Sequence, residues 1–577
     1  MNAQDLYQKW VNQPTLNESV KHDLAKIANN NEEINDAFGT NMSFGTAGMR
    51  GLIGAGINRM NIYTVRQATE GLASYMDTLD EEAKKRGVAI SFDSRYHSKE
   101  FAYEAARVLG QHNIKSYVFD DIRPTPELSF AIRHLHTFAG VMITASHNPM
   151  QYNGYKIYGQ DGGQMPPKAS DMITDYVRKA DDVFAIDVAD VKDLRDRNLL
   201  SVVGEDVDDA YLANVKTVNV NHDLIREVGK ELKFVYTPLH GTGKIICRRA
   251  LDNVGFKNYS LVKEQAIADP EFPTVDFPNP EFPEAFNYAI KLGKEENADV
   301  LIATDPDADR LGAAVRQPDG SYELMTGNQI ASVLLDYILT AKKNANDLPA
   351  DGTVVKSIVS TELATKIANN YDVEMQNVLT GFKYIAEKIK DFEENKDHTF
   401  LFGFEESFGY LIKPFVRDKD AIQSTVLLAE VAAYYKQKGQ TLYDGLQSIY
   451  KKYGYHEEKT ISKTFSGIEG KEKMANIMNE LRSNPLNEFN NQKVESLEDF
   501  QTSTKTNADG STETIELPEA NVLKYWLDDG TWFAIRPSGT EPKIKFYLGT
   551  VDDSAEAVNN KLKTYEDAVD QLIEQLV

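Results

Sequence analysis

Short apolar runs of β-type composition alternate with stretches of helical period through most of residues 1–450. This pattern predicts α/β layering with mainly parallel strands. The runs at 88–92, 139–144, 234–236, 300–304 and 399–402 read as strands. A polar cluster follows each: Asp93-Ser94-Arg95, Ala145-Ser146-His147-Asn148-Pro149, Thr237-Pro238-Leu239-His240-Gly241, Asp305-Pro306-Asp307-Ala308-Asp309-Arg310 and Gly403-Phe404-Glu405-Glu406-Ser407. Open α/β sheets bind ligands beyond the carboxyl ends of their strands, so clusters recurring there predict one composite site. The polar stretch 193–209 and the proline-rich 269–283 read as surface connections. Around 450–463 the alternation changes character, and Asn507-Ala508-Asp509-Gly510-Ser511 predicts a hairpin-type turn between Thr-rich strands. The last domain is therefore expected to be α+β. There is no fixed-period repeat and no long Gly/Ser linker, but the recurring strand-then-loop logic fits domains of similar build.

Length turns this pattern into a domain count, since 577 residues correspond to about four domains at roughly 150 residues each. Hydrophobic residues at 41% and charged residues at 26% exclude a disordered chain or a fibrous repeat. The net charge of −25 disfavours nucleic-acid backbones and anionic lipid surfaces as partners, so an anionic ligand must be held by local basic residues. Cys247 is the single cysteine, which excludes an internal disulfide and a Cys-based zinc site. Residues 1–10 lack a basic segment followed by an apolar run, and no later stretch approaches the ~20 apolar residues that span a bilayer. A cytoplasmic chain is expected.

Candidate chemistry is concentrated in four places. Asp305, Asp307 and Asp309 alternate with Pro306 and Ala308 directly after an apolar strand, and three clustered carboxylates call for a hard cation such as Mg²⁺. An EF-hand is excluded, because the sixth loop position is Arg310 and the twelfth Arg316, where glycine and glutamate are required. The competing reading, a solvated acidic turn, leaves Arg310 without a purpose, whereas a guanidinium beside a metal loop can grip phosphate. In Thr144-Ala145-Ser146-His147-Asn148-Pro149, Ser146 is a candidate nucleophile, and Lys156, ten residues on, can return as acid, base or phosphate ligand. Taken alone, Ser-His-Asn is more often turn chemistry, and adjacent Ser and His make no hydrolase triad. Arg536-Pro537-Ser538-Gly539-Thr540-Glu541-Pro542-Lys543 sits between apolar runs and offers backbone N–H groups, hydroxyls and an Arg, an anion nest or else an ordinary hairpin turn. Glu405-Glu406-Ser407 suits neighbouring sugar hydroxyls, though read in isolation a solvated Glu pair explains it better.

Together these signatures resemble the α-D-phosphohexomutase family, and within it the branch of long bacterial phosphoglucomutases that also resembles phosphopentomutases. The Ser146, Asp305–Arg310, Glu405–Ser407 and Arg536–Lys543 loops occur in family order over almost the whole chain. Further matches are Phe44-Gly45-Thr46-Ala47-Gly48-Met49-Arg50-Gly51, Thr380-Gly381-Phe382-Lys383 and Arg417-Asp418-Lys419-Asp420, and no motif departs from the family pattern. The resemblance implies four domains around a central cleft, three similar α/β domains and a smaller α+β domain. The expected boundaries are 1–205 with the phosphoserine loop, 206–318 with the metal loop, 319–452 with the sugar loop and 453–577 with the phosphate loop.

The resemblance also implies roles. Ser146 is expected to be phosphorylated, with one Mg²⁺ held by Asp305, Asp307, Asp309 and a phosphoserine oxygen, and Arg310 on the phosphoryl group. Arg50 and Lys156 are expected in proton transfer or phosphoryl stabilisation, and His147 in support. Glu405 and Ser407 would meet sugar hydroxyls, and Arg536, Ser538, Gly539 and Thr540 the non-transferring phosphate. Lys383, Arg417, Lys419 and Lys543 are expected to join the basic residues that make the cleft positive within an acidic chain. The implied activity is interconversion of glucose 1-phosphate and glucose 6-phosphate through glucose 1,6-bisphosphate, with closure of the last domain excluding water. Mannose and pentose phosphates are alternative substrates. An Asp-x-Asp phosphatase would leave Ser146 and Arg536 unexplained, and a silent sugar-phosphate-binding regulator would leave the intact Ser146, Asp triad and Lys156 unexplained. Oligomeric state is not legible in the sequence.

Overall fold

A computed structural model describes residues 2–44, 48–465, 468–538 and 543–576. The chain divides into two compact units, the first of Met1–Thr326, Ala386–Lys396 and Ser407–Leu442, the second of Gly327–Ile385, Asp397–Glu406 and Tyr443–Val577. Among the described residues no helix is long and apolar enough to cross a membrane.

In the first unit, the strand Val88–Phe92 is buried at every position, as expected of a central strand covered on both faces. It pairs in parallel with Ala139–Ile143 and Ser116–Phe119. Tyr152–Tyr158 and then Gly48–Leu52 extend the sheet antiparallel, so the mainly parallel expectation holds for its centre and not for this edge. The register sets Lys156 opposite Gly48 on one side and Met142 on the other. Gly48 has φ +119°, and a Cβ there would lie 1.9 Å from the Tyr155 carbonyl oxygen, so only glycine permits this pairing.

The stretch 193–209 is more than the expected connection. It holds the strand Leu200–Val203, which pairs in parallel with Ser116–Phe119, and the start of the helix Glu205–Val215. Only Leu200 of that strand is buried and Val202 is exposed, so a four-residue edge strand flanked by charged residues read as a loop. The proline-rich 269–283 carries neither strand nor α-helix, as expected.

A second sheet in this unit centres on Val300–Thr304, parallel to Phe234–Thr237 and antiparallel to Leu311–Arg316. Leu311 pairs with Thr304, so residues 305–310 form the turn of a hairpin. The helix Ala421–Gln437 is buried along nearly its whole length against the helices His222–Val228 and Gly243–Val254. Its cap is Asp420, which accepts the Ile422 and Gln423 N–H groups and the Tyr211 hydroxyl, each at 2.9 Å. Burial pushes that carboxyl up to about 6.

In the second unit, Gly352–Ser357 pairs in parallel with Glu374–Val378 and Thr399–Glu405. The C-terminal part is an antiparallel sheet built on Tyr455–Thr464, Lys543–Asp552, Trp532–Pro537, Leu523–Leu527 and Gln492–Asp499. The helices Ile468–Ser483 and Ala555–Leu576 share one apolar core with it. The expected hairpin turn at 507–511 joins Thr504–Asn507 to Thr512–Thr514.

Candidate active site

Ser146 leaves the strand Ala139–Ile143 through Thr144 and takes φ +52°, a left-handed backbone that costs a non-glycine residue about 1–2 kcal/mol. Neighbouring groups hold it there. The Ser146 N–H donates to Thr144 Oγ1 at 2.8 Å, and that hydroxyl donates to Asp93 Oδ2 at 2.7 Å. Buried Arg95 donates to the carbonyls of Ser146 and Asn148 at 2.5 Å, of Pro149 at 2.8 Å and of Tyr152 at 3.0 Å. Asp93 balances its charge at 3.2 Å and the Phe272 ring stacks on it at 4.9 Å. Arg95 thus fixes the whole backbone turn that carries the nucleophile.

The loop 305–310 is tied from three sides. The Thr125, Thr242 and Ala421 N–H groups donate to the carbonyls of Asp307, Pro306 and Ala308 at 2.9, 2.8 and 3.2 Å. Gly241 lies so close that a Cβ would stand 2.3 Å from Pro306 Cα. Within the loop, Asp305 Oδ1 accepts the Asp309 and Arg310 N–H groups at 3.1 and 3.0 Å. Asp305 Oδ2 accepts the Ser146 hydroxyl at 2.8 Å. Asp307 Oδ2 accepts Thr125 Oγ1 at 2.8 Å and Lys156 Nζ at 3.0 Å, and Asp309 Oδ2 faces Lys419 Nζ at 3.1 Å.

All three aspartates are buried, and their oxygens approach within 4.8 Å of one another. Among the described residues, the buried Asp307 Oδ1 and Asp309 Oδ1 have no hydrogen-bond partner. Burial, reinforced by the charges of Asp307 and Asp309, pushes Asp305 well above the usual carboxylate range. Burial acts the same way at Asp307, but Lys156 overcomes it and holds that carboxyl below its ordinary value. Concentrated negative charge with unpaired hard oxygens fits a divalent cation of the Mg²⁺ type, since an orphaned buried carboxylate oxygen is otherwise costly.

Other expected residues surround this core. His147 is half-buried with Nδ1 3.2 Å from Ser146 Oγ, and burial plus the positive Arg310 and Arg50 push its imidazole well below its ordinary value. The exposed Arg50 donates to Asn148 Oδ1 at 2.8 Å. The Arg310 guanidinium pairs with Glu281 and has Nε 3.9 Å from Asp309 Oδ1. Ser407 lies in the turn after Glu405, half-buried. Arg417 is placed differently from an open ligand-binding side chain, being 1% exposed and engaged by Glu393 and the Pro414 carbonyl.

The second unit carries the remaining expected residues. Glu405 ends the strand Thr399–Glu405, and its Oε1 accepts the Gly381 N–H at 2.7 Å, where Gly381 has φ +121°. Lys383 Nζ sits 4.8 Å from the centre of the Tyr384 ring. Arg536 lies opposite Lys545 in the sheet, and its charge acts on the Tyr547 hydroxyl. The Ser538 N–H donates to the Lys543 carbonyl at 2.7 Å. Gly539 and Thr540 lie outside the described residues, as do Gly45, Thr46 and Ala47 of the early motif.

Four residues that sequence reasoning did not single out belong to this site: Arg95 and Thr144 under the Ser146 turn, Thr125 on Asp307 and Glu281 on Arg310. Arg95 had a signal in the Asp93-Ser94-Arg95 cluster at a strand end. Thr125, 182 residues from Asp307, had none.

Comparison with known proteins gives a consistent result. The sequence matches the family described as phosphoglucomutase/phosphomannomutase in four successive parts: alpha/beta/alpha domain I over residues 41–184, domain II over 209–320, domain III over 326–453 and the C-terminal domain over 489–560. It is 40% identical over 533 residues to a phosphoglucomutase of Staphylococcus aureus (strain MSSA476), covering 91% of this chain and 93% of that one. The fold is similar to that of the Paramecium phosphoprotein pp63/parafusin, a phosphoglucomutase crystallised in an open form, with TM-score 0.68 at 17% identity over 93% of this chain and 96% of that one. It is also similar to a phosphoglucomutase/phosphomannomutase family protein from Burkholderia thailandensis, with TM-score 0.65 at 16% identity over 92% and 97% of the two chains.

Proposed function

The chain belongs to the phosphoglucomutase/phosphomannomutase family, and from that premise we propose that it interconverts α-D-glucose 1-phosphate and glucose 6-phosphate through a phosphoserine at Ser146 and a glucose 1,6-bisphosphate intermediate. One observation carries this reading: the Ser146 hydroxyl lies 2.8 Å from Asp305 Oδ2, inside a buried carboxylate triad in which two oxygens find no hydrogen bond among the described residues. A nucleophile placed against a cation site is what phosphoryl transfer needs, and an ordinary acidic turn has no use for it.

Asp305, Asp307, Asp309 and Ser146 would hold one Mg²⁺, which when bound would supply charge neutralisation on the transferring phosphoryl oxygens. In the forward half-reaction the bond between Ser146 Oγ and phosphorus breaks as a bond from the substrate 6-oxygen to phosphorus forms. The 6-hydroxyl proton passes by way of Arg50, Lys156 or His147 to the departing Ser146 Oγ, which it restores as a hydroxyl. Arg310 exchanges Glu281 for the phosphoryl oxygens. The bisphosphate then turns over, and its 1-phosphoryl group returns to Ser146 while the Ser146 hydroxyl proton passes back to the sugar 1-oxygen, releasing glucose 6-phosphate. Lys383, Glu405, Ser407 and Lys419 recognise the sugar, and Arg536, Ser538, Gly539, Thr540 and Lys543 the phosphate that stays, while the buried Arg417 is taken up by Glu393 and the Pro414 carbonyl. Glucose is the preferred sugar because Glu405-Glu406-Ser407 resembles the gluco-type loop. The four functional parts divide at 1–205, 206–318, 319–452 and 453–577, and the enzyme acts in the cytoplasm on small sugar phosphates.

The test is conversion of glucose 1-phosphate to glucose 6-phosphate with Mg²⁺ and trace glucose 1,6-bisphosphate. Wild type should turn over, and Ser146→Ala should lose at least about a thousandfold in kcat. Faster conversion of ribose or mannose 1-phosphate would move the assignment to a pentomutase or mannomutase. Release of inorganic phosphate would replace it with a phosphatase, and silence on every substrate would leave a binding protein.

A further inference from the structure

The second unit buries charges that the phosphoryl-transfer reading does not use. Lys524 is 3% exposed and Lys356 is fully buried, and both ammonium groups face the Glu362 carboxylate, at 3.6 and 3.0 Å. Three elements meet here: Lys524 from the strand Leu523–Leu527, Lys356 from the strand Gly352–Ser357 and Glu362 from the start of the helix Glu362–Asn370. A buried ion cluster is a poor route to stability, because well-packed apolar side chains of similar volume often serve as well. Its geometry points to another use.

The cluster grips the turn between Ser357 and Glu362 from one side. Lys524 Nζ donates to the Ile358 carbonyl at 2.7 Å, and Lys356 Nζ to the Ser360 carbonyl at 3.3 Å. The hydroxyls of the same turn serve Glu406, whose Oε2 accepts Ser357 Oγ at 2.9 Å and Ser360 Oγ at 3.3 Å. The indoles of Trp526 and Trp532 flank the Lys524 ammonium at 4.1 and 4.6 Å. Trp532 opens the strand that carries Arg536, and it packs with Ile358, Val359, Leu379 and Tyr547 in one apolar cluster. Tyr547 in turn lies opposite Ala534, two residues before Arg536 on the same strand, and its hydroxyl feels the Arg536 charge. Burial pulls the Lys524 ammonium down to about 8 against the attraction of Glu362, so its charge persists at neutral pH only because its partners stay in place.

We propose that Lys356, Glu362 and Lys524 are positioning residues for sugar-phosphate recognition, locking the turn 357–361 to the C-terminal sheet and so fixing the Glu405–Glu406 carboxylates relative to Arg536. The ligand class is a phosphorylated aldose, with its hydroxyls on one loop and its stationary phosphate on the other. This rests on the reading of those loops as the sugar and phosphate sites.

Two of the three tryptophans of the chain touch this cluster, so binding can be read without turnover. The full-length protein is titrated with glucose 1-phosphate by tryptophan fluorescence, in parallel with steady-state kinetics and thermal melting, for wild type, Lys524→Met and Glu362→Gln. The expected result is a Kd and KM about tenfold higher in both variants, with kcat within about twofold of wild type. A purely structural cluster would lower the melting temperature and leave Kd unchanged, and that outcome in Lys524→Met overturns the proposal. Should Lys524→Met not fold, Glu362→Gln, which keeps volume, decides by the same criterion. Wild type that binds but does not isomerise would refute the proposed activity while the variants still decide the positioning. Wild type that binds no glucose 1-phosphate would overturn both.

Discussion

The two buried charge clusters of this protein are built on opposite principles. Asp305, Asp307 and Asp309 concentrate negative charge, answered in part by Lys156, Lys419 and Arg310, and among the described residues still keep two buried oxygens without a hydrogen bond. Lys356, Glu362 and Lys524 carry an excess of positive charge, yet both ammoniums find carbonyls as well as the carboxylate, and Lys524 adds two indole faces. An unsatisfied cluster stores electrostatic energy that a ligand can release, whereas a satisfied one holds elements together. The first therefore marks where chemistry happens, and the second marks what must not move while it does.

The strongest test of that contrast is Asp305→Asn, which keeps the shape and removes one charge. Activity should fall at least about a thousandfold, because the oxygen facing Ser146 no longer helps hold a cation. In metal-free buffer the variant should nonetheless be more stable than wild type, by about 1 kcal/mol, because repulsion among three buried carboxylates is relieved. Adding Mg²⁺ at about 100 times its Kd should stabilise wild type by about 2.7 kcal/mol and the variant far less, read as the shift of the thermal unfolding midpoint. A variant less stable than wild type without metal would mean that the cluster is satisfied after all.

The same contrast explains what the sequence disclosed. The triad was legible because all three acids lie in one hairpin turn, and the nucleophile because Ser146 ends a strand of unbroken apolar character. The central strands read correctly for the same reason, since a strand buried on both faces leaves a continuous apolar run. The edge strand Leu200–Val203 was missed because only one of its positions is buried. Thr125, Arg95 and Lys524 were illegible or ambiguous because their partners lie far along the chain: 182 residues separate Thr125 from Asp307, and 166 separate Lys524 from Ile358. Local spacing carries no information about contacts that only the fold creates.

A smaller effect should appear in the pH dependence of stability. Burial places Lys524 at about 8 in the folded protein against an ordinary 10.5, so the unfolded chain binds more protons across that window and stability must rise with pH there. The cost of burying the ammonium is fully present below pH 8 and vanishes above 10.5. Glu362, Lys356 and Glu498 are the charged groups that act on it. The first is held down to about 2 and stays ionised throughout. Relative to Lys524→Met, wild type should gain about 3 kcal/mol from pH 8 to 10.5, measured by urea unfolding at each pH. Asp305→Asn should show no such trend against wild type, which separates the two clusters by an observable other than activity.

The smallest expected effect concerns the last link from the basic cluster to the sugar loop. Ser360 Oγ reaches Glu406 Oε2 at 3.3 Å, a longer bond than the 2.9 Å made by Ser357 Oγ to the same oxygen, and the two hydroxyls also contact each other at 2.8 Å. Ser360→Ala removes the weaker donor and leaves the stronger one, so the loss should be about 0.5–1 kcal/mol of sugar-phosphate affinity, or a KM about two- to fivefold higher at unchanged kcat. Ser357→Ala should cost more. If the order is reversed, the turn is held chiefly through Ser360, and the grip of Lys356 on the Ser360 carbonyl, rather than that of Lys524 on Ile358, is what sets the sugar loop.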